Sequence, residues 1–220
     1  MGGEFNKETL KEYVVSETPT IFDVGCYDGS DSKDFLKVFP KAQIYSFEPD
    51  QRSIELFNKN VKSDNIHLIE TAISNVDGTI SWYESESETR RHYDDQKSWS
   101  ASSSMKKPKE HLTTFTDVYF KQPTTVKSKK LDTWYSENNV DIIDIMWVDV
   151  NGATKEFIEG AVKTLNEKTK ILITEFEEVE LYEGSSNLEE TLKMLPNFEK
   201  IKVFNFLGNF GNVILKNTTL

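Results

Sequence analysis

IFDVGCYDGSDSKDFLKVFPKAQIYSFEPD, residues 21–50, decides the fold. A short apolar run from Thr20 to Val24 reads as a buried strand. A turn holding Gly25 and Gly29 follows, and Ser30 is the expected N-cap of a helix with Phe35, Leu36 and Phe39 on one face. A second apolar run, Ala42 to Phe47, ends in Glu48-Pro49. Strand, glycine turn, helix, and a strand tipped by a carboxylate make the first unit of a nucleotide-binding α/β sheet.

Charge narrows the ligand. A dinucleotide site needs the pattern G-x-G-x-x-G, so that a pyrophosphate can touch backbone amides at the helix start. Here the turn is Gly25-Cys26-Tyr27-Asp28-Gly29, flanked by Asp23 and Asp31. Three carboxylates around it would repel a pyrophosphate and suit an adenosine ligand with a cationic head, such as S-adenosylmethionine. Glu48 is then placed to take both ribose hydroxyls.

Outward from this unit, the chain of 220 residues is large enough for one well-packed domain. Residues 1–5, Met-Gly-Gly-Glu-Phe, read as a cloning remnant with the natural polypeptide extending upstream, and 6–220 as a single domain. No apolar run approaches the roughly 20 residues of a membrane span. A single cysteine, Cys26, excludes an intramolecular disulfide and predicts a reducing, cytoplasmic location. With 26 basic against 37 acidic residues the net charge is −11, which argues against a nucleic-acid partner. The basic patches Lys106-Lys107-Pro108-Lys109 and Lys127 to Lys130 read as solvated loop.

Further helices are expected over Lys7 to Val15, Arg52 to Val61, Leu131 to Glu137, Lys155 to Leu165 and Leu188 to Leu195. Strands are expected at Ile66 to Ile69, Thr79 to Tyr83, Ile142 to Val150 and Lys170 to Thr174, with a closing hairpin of Lys200 to Phe206 and Gly211 to Leu215. Helices alternating with strands and a final antiparallel pair fit a mostly parallel sheet covered on both faces. From about 84 to 125 the pattern disappears, and a connection this long reads as a substrate lid. Tyr93, Trp99 and Tyr119 there could stack on a sugar's apolar face, with Gln96 and serines such as Ser103 binding hydroxyls.

With these residues assembled, the chain resembles the FkbM-like branch of the class I S-adenosylmethionine-dependent methyltransferases. The matching pieces are Asp23-Val24-Gly25 with Gly29, Phe47-Glu48-Pro49, Thr71-Ala72-Ile73-Ser74 with Asp77-Gly78, Leu131-Asp132, Asp149-Val150-Asn151-Gly152-Ala153, Glu159-Gly160-Ala161 and Glu175. The resemblance implies a Rossmann-like, seven-stranded α/β sheet with its last strand antiparallel, and methyl transfer to a hydroxyl, often on a sugar. The family pattern reads Asp-Val-Glu-Gly where this chain has Asn151, and an amide cannot take a proton, which argues against a general base there. The Lys- and Asn-rich sequence also resembles the methyltransferase segment of chlorovirus-like glycan-building polypeptides. That likeness implies linkage to upstream glycosyltransferase domains and a host cytoplasm.

In an open α/β sheet the ligand lies beyond the carboxyl ends of the strands. The expected cofactor residues are Asp23, Gly25, Tyr27, Asp28, Gly29, Glu48, Pro49, Thr71, Ala72 and Asp149, with the adenine against Thr71-Ala72. A sugar hydroxyl needs help to attack, and Asp149 is the first candidate base, with Glu175 orienting the acceptor. Alternatively Asp149, Asn151 and Glu175 form an all-oxygen site for Mg2+ or Mn2+. Trp99, Ser103, His111 and Asn151 are the expected substrate contacts, on a carbohydrate acceptor such as a rhamnose; His111 is either a second base or an exposed loop residue without a role. A nicotinamide-dependent reductase, an RNA methyltransferase and a catalytically idle binding module are the competing readings.

Overall fold

The computed structural model describes residues 5–90 and 99–220. A 3-10 helix, Lys7–Glu12, leads into β1 (Thr20–Val24), α1 (Ser30–Val38), β2 (Gln43–Phe47), α2 (Gln51–Asn60) and β3 (Ile66–Ile69). Short strands β4 (Ala72–Ile73), β5 (Gly78–Trp82) and β6 (Ser85–Ser87) precede α3 (His111–Thr114), β7 (Val118–Phe120) and β8 (Thr124–Lys129). The second half runs α4 (Leu131–Glu137), β9 (Ile143–Val148), α5 (Thr154–Gly160), α6 (Val162–Lys168), β10 (Thr169–Glu177), α7 (Leu188–Met194), β11 (Phe198–Phe204) and β12 (Phe210–Asn217).

Seven strands form the main sheet in the order β11-β12-β10-β9-β1-β2-β3. β1 pairs in parallel with β2 and β9, β9 with β10, and only β12 runs antiparallel to its neighbours. The alternation of side chains buries both faces. Phe22, Val24, Met146, Val148 and Leu172 face Phe157 and Leu165 of the helices on one side. Ile21, Ile44, Ile145, Ile171 and Ile173 face Phe35 and Phe57 on the other. This is the doubly covered α/β architecture expected from the sequence.

Four local expectations are corrected. Ser30 is the first residue of α1, not its cap; Gly29 holds the cap position in the left-handed region, and Asp28 Oδ1 accepts the Ser30 amide at 2.9 Å. The helix expected over Lys155 to Leu165 is two helices broken at Ala161. A Cβ on Gly160 would lie 1.9 Å from the Ser74 carbonyl oxygen, so this close crossing admits only glycine. Lys127 and Lys129 lie in β8, which pairs with both β4 and β5, rather than in a solvated loop. Lys106, Lys107 and Lys109 pair with Glu156, Glu183 and Glu180.

The segment expected as a lid is ordered where described. β6 pairs with β7, and a bridge joins Tyr83 to Ser104 through two backbone hydrogen bonds of 2.8 and 3.2 Å. His92, Tyr93 and Gln96 lie outside the described residues.

Candidate active site

The chain leaves β1 for β2 and β3 on one side and returns through β9 on the other, so β1 and β9 flank the switch point where α/β sheets open a crevice. Gly25 follows β1 and Asp149 follows β9. The two meet closely: Gly25 has φ of 83°, and a Cβ there would sit 1.8 Å from the Asp149 carbonyl oxygen. The Gly25 and Cys26 amides bond the Phe47 carbonyl at 2.9 and 3.1 Å, and the Asp149 amide bonds that of Val24 at 2.9 Å. These bonds hold the tips of three parallel strands together.

Above them opens a cavity of about 770 Å3, including its mouth, lined by Gly25, Tyr27, Asp31, Glu48, Pro49, Thr71, Ala72, Trp82, Asp149 and Asn151. Glu48 is 5% exposed. Its Oε2 accepts the Tyr27 amide at 3.0 Å and its Oε1 the Asp50 amide at 2.8 Å. Burial pushes its carboxyl up to about 8, against the pull of the Asp50 amide. Each oxygen keeps a further lone pair, enough to receive a diol. Thr71, Ala72 and Pro49 supply small, flat surface beside it.

The insert roofs this cavity. Asp50 takes both Nε and Nη2 of Arg52 at 2.9 and 2.6 Å, and Trp82 Nε1 at 3.2 Å. Arg52 reaches on to the Ser85 carbonyl at 2.9 Å and to Ser103 Oγ at 3.2 Å. From the opposite wall, Asn151 Nδ2 donates to the carbonyls of Ala101 and Ser103, both at 3.2 Å, while Ser104 Oγ donates to the Asn151 carbonyl at 2.6 Å. Asn151 sits at φ of 46°, a conformation asparagine tolerates better than most residues.

Asp149 and Glu175 are both half-buried and hydrogen-bonded to each other. Burial raises Asp149 to about 6, and burial together with the Asp149 charge drives Glu175 well above the carboxylate range. The two titrate as one coupled pair, both raised above the ordinary carboxylate range, so the pair keeps a proton to higher pH than free carboxyls do. Asp149 lines the first cavity, whereas Glu175 lines a second one of about 470 Å3 that also contains Asn151, His111, Glu177, Tyr182 and Arg90. Asn151 stands in both walls. The Tyr182 hydroxyl donates to the Ser102 carbonyl at 2.7 Å, tying this second cavity to the same roof.

Several expected site residues are placed differently. Asp28 is spent on Ser30 and Asn60 and lines neither cavity; Gly29 packs against Phe57 and Val61. Asp23 is fully buried beneath the turn, hydrogen-bonded by Ser32, and raised to about 8 by burial and by Asp31. Trp99 lines neither cavity, but its ring lies 6.5 Å from that of Tyr27. Tyr119 is exposed and donates to Glu86 at 2.9 Å. His111 is not an exposed loop residue: it is 4% exposed and enclosed by Phe115, Phe120 and Tyr182. Of the three residues expected around a metal, Asn151 binds two carbonyls through Nδ2, which leaves Oδ1 as its cation-facing atom, while Asp149 and Glu175 bond each other. Among the described residues no three His, Cys, Asp or Glu side chains converge on one point. Arg52, Trp82 and Tyr182 were not expected at the site. Only the Asp50-x-Arg52 spacing after Glu48-Pro49 carried a signal for any of them.

Residues 23–204 match the methyltransferase FkbM domain. Over 203 residues the chain is 40% identical to NoeI, a 2-O-methyltransferase of Sinorhizobium fredii, covering 92% of this chain and 81% of NoeI. A methyltransferase FkbM from Methylobacillus flagellatus superposes with a TM-score of 0.53 at 11% identity over 91% of this chain, which spans 44% of that protein. Fibrillarin of Methanococcus jannaschii superposes with a TM-score of 0.54 at 11% identity, over 92% of this chain and 68% of its own. Identities this low show the Rossmann-like methyltransferase fold and nothing about substrate. The domain match and the 40% identity reach further: this chain is a methyltransferase and belongs to the methyltransferase FkbM domain family.

Proposed function

We propose that this protein transfers a methyl group from S-adenosylmethionine to a hydroxyl of a sugar. Bound in the first cavity, the donor supplies an electrophilic methyl carbon whose sulfonium leaves as a neutral thioether. The observation that carries the reading is the carboxyl pair at the junction of the two cavities, with Asp149 toward one and Glu175 toward the other.

In the first cavity Glu48 receives the ribose hydroxyls, Thr71 and Ala72 border the adenine, and Asp31 and Asp149 face the positive charges. The same features disfavour a nicotinamide dinucleotide. A pyrophosphate needs free amides at the start of α1, and the Asp28 carboxylate already occupies the Ser30 amide there. In the second cavity Glu175 orients the acceptor. The pair shares a proton, and the backbone N–H of Asn151 favours the charge on Asp149, so Asp149 takes the acceptor's proton as the new C–O bond forms. The roof built from Ala101, Ser103 and Met105 excludes water while acceptor and donor are held in line.

The name of the NoeI relative points to the 2-hydroxyl as the position modified, and a deoxyhexose such as rhamnose is the acceptor proposed. The test is methyl-labelled donor offered with rhamnosides, other glycosides, short RNAs and phenols. Label in a sugar ether, with turnover at saturating donor reduced by about 10²–10⁴ in a folded Asp149→Asn, is the expected result. Label only in RNA or a phenol refutes the proposal.

A further inference from the structure

The second cavity contains two polar atoms that the fold leaves unpaired. Glu177 is 7% exposed and its Oε2 has no hydrogen-bond partner; the same holds for Nδ1 of His111. Buried polar groups are almost always satisfied; the protein sets only the Ser185 hydroxyl and the Tyr182 and Leu181 backbone N–H groups beside the Glu177 carboxyl, and two under-bonded atoms in one cavity leave room for a ligand's hydroxyls. Both sit among aromatic surface: the His111 ring lies 4.8 Å from Phe115 and 5.3 Å from Tyr182. Hydroxyl-seeking groups beside ring faces are the chemistry of a polyol ring, with one apolar face and an edge of O–H donors.

Charge sharpens the assignment. Among the described residues Arg90 is the one cation lining this cavity. Its Nε and Nη2 bond both carboxylate oxygens of Asp117 at 2.7 and 3.0 Å, and its guanidinium lies over the Trp99 and Phe115 rings at 5.5 and 5.2 Å. That charge is already neutralised. The remaining ionisable acids, Glu175 and Glu177, would meet any carboxylate, sulfate or phosphate with repulsion or an unpaired buried charge.

Resting on the sugar methyltransferase reading, we infer that this cavity is an acceptor subsite selective for an uncharged sugar ring. Glu177 and His111 take ring hydroxyls, and anionic sugars are excluded.

The test compares a neutral rhamnoside with glucosides and the matched glucuronide, using wild type and Glu177→Gln. Wild type should methylate a neutral glycoside with kcat/KM at least about 100-fold above the glucuronide. Glu177→Gln keeps the side chain's shape but replaces one acceptor oxygen by a donor. It should raise KM for the neutral glycoside about tenfold while the Kd for S-adenosylmethionine, which also reports folding, stays unchanged. A glucuronide used as well as the neutral glycoside overturns the inference, as does an unchanged KM in a folded Glu177→Gln. If Glu177→Gln fails to bind donor, the wild-type comparison alone decides. If wild type labels no glycoside at all but labels another acceptor, the function itself is wrong, an outcome distinct from lost charge selectivity.

Discussion

Without its donor, this protein should lose stability as pH rises from 6.5 to 8, and S-adenosylmethionine should restore it with release of protons. Glu48 gives the sign. Its carboxyl is raised from 4.5 to about 8 by burial, so between those values the native state holds a proton that the unfolded chain has lost. Stability is then greatest at low pH and falls on the way up. His111 acts oppositely: burial and Arg90 lower it from 6.5 to about 4, so its contribution grows with pH until 6.5 and is flat above. Asp117, lowered to about 2 by Arg90, has finished titrating well below this range. The window from 6.5 to 8 therefore isolates the raised acids.

Over those 1.5 units a single carboxyl such as Glu48 contributes about 2 kcal/mol, at about 1.4 kcal/mol per pH unit. For a domain of this length that is roughly a 4–8 °C fall in Tm. The donor's sulfonium and ammonium, net +1 with its carboxylate, favour the ionised acids, so binding at pH 7 should release roughly one proton per donor bound. Thermal melts across the window, with and without donor, read the first effect; calorimetry in buffers of different ionisation enthalpy reads the second. Glu48→Gln separates this from general repulsion in an acidic protein, because it should make the donor-free slope shallower by the Glu48 share, with Asp23, also raised to about 8, supplying part of the remainder. A donor-free Tm that is level or rises from 6.5 to 8, or a Glu48→Gln slope equal to wild type, would refute the reasoning.

Other outcomes follow from single contacts. Glu48→Gln should weaken S-adenosylmethionine by roughly one to two orders of magnitude, the worth of about 1.5–3 kcal/mol for a charged hydrogen bond, and unchanged affinity by titration would remove Glu48 from the ribose site. Exhaustive chelation should leave turnover intact, since Asp149 and Glu175 already bond each other; loss that Mg2+ or Mn2+ restores would reinstate the metal. Asn151→Asp removes two donors to the roof and should speed hydrogen exchange at Ala101 to Ser104 about tenfold or more. Exchange at the wild-type rate would mean that those bonds do not hold the roof.

The fold was legible where local pattern and tertiary role agree. β1, α1 and β2 show their periods openly because each buries a continuous face, and the Glu48 tip falls where the strand ends. β8 was missed because Thr124–Lys129 has an exposed, polar sequence and becomes a strand only by inserting between β4 and β5. The break at Ala161 is a tertiary event, set by the Ser74 carbonyl crossing Gly160. The first cavity was largely readable, since Gly25, Glu48, Thr71 and Asp149 all sit at strand ends. The second was not. Glu177 stands at the carboxyl end of β10, where a ligand is expected, but Tyr182 comes from the turn beyond it, where no period announces a role, and His111 reads as loop until Phe115, Phe120 and Tyr182 enclose it.

Asn151 explains why one departure from the family pattern is compatible with chemistry. A glutamate at that position would carry charge, but it has no N–H to offer the Ala101 and Ser103 carbonyls. The amide offers two, from a residue type that accepts φ of 46° at modest cost. The position has thus become the clasp between the β9 tip and the insert, with Ser104 returning a bond to its carbonyl and Tyr182 adding another beside it. In the proposed reaction proton handling falls to the neighbouring pair Asp149 and Glu175, both raised by burial. Holding the roof and, in the proposed reaction, receiving the proton are separate tasks carried two residues apart on one strand-end loop, so the Asn151 amide is compatible with Asp149 as the base.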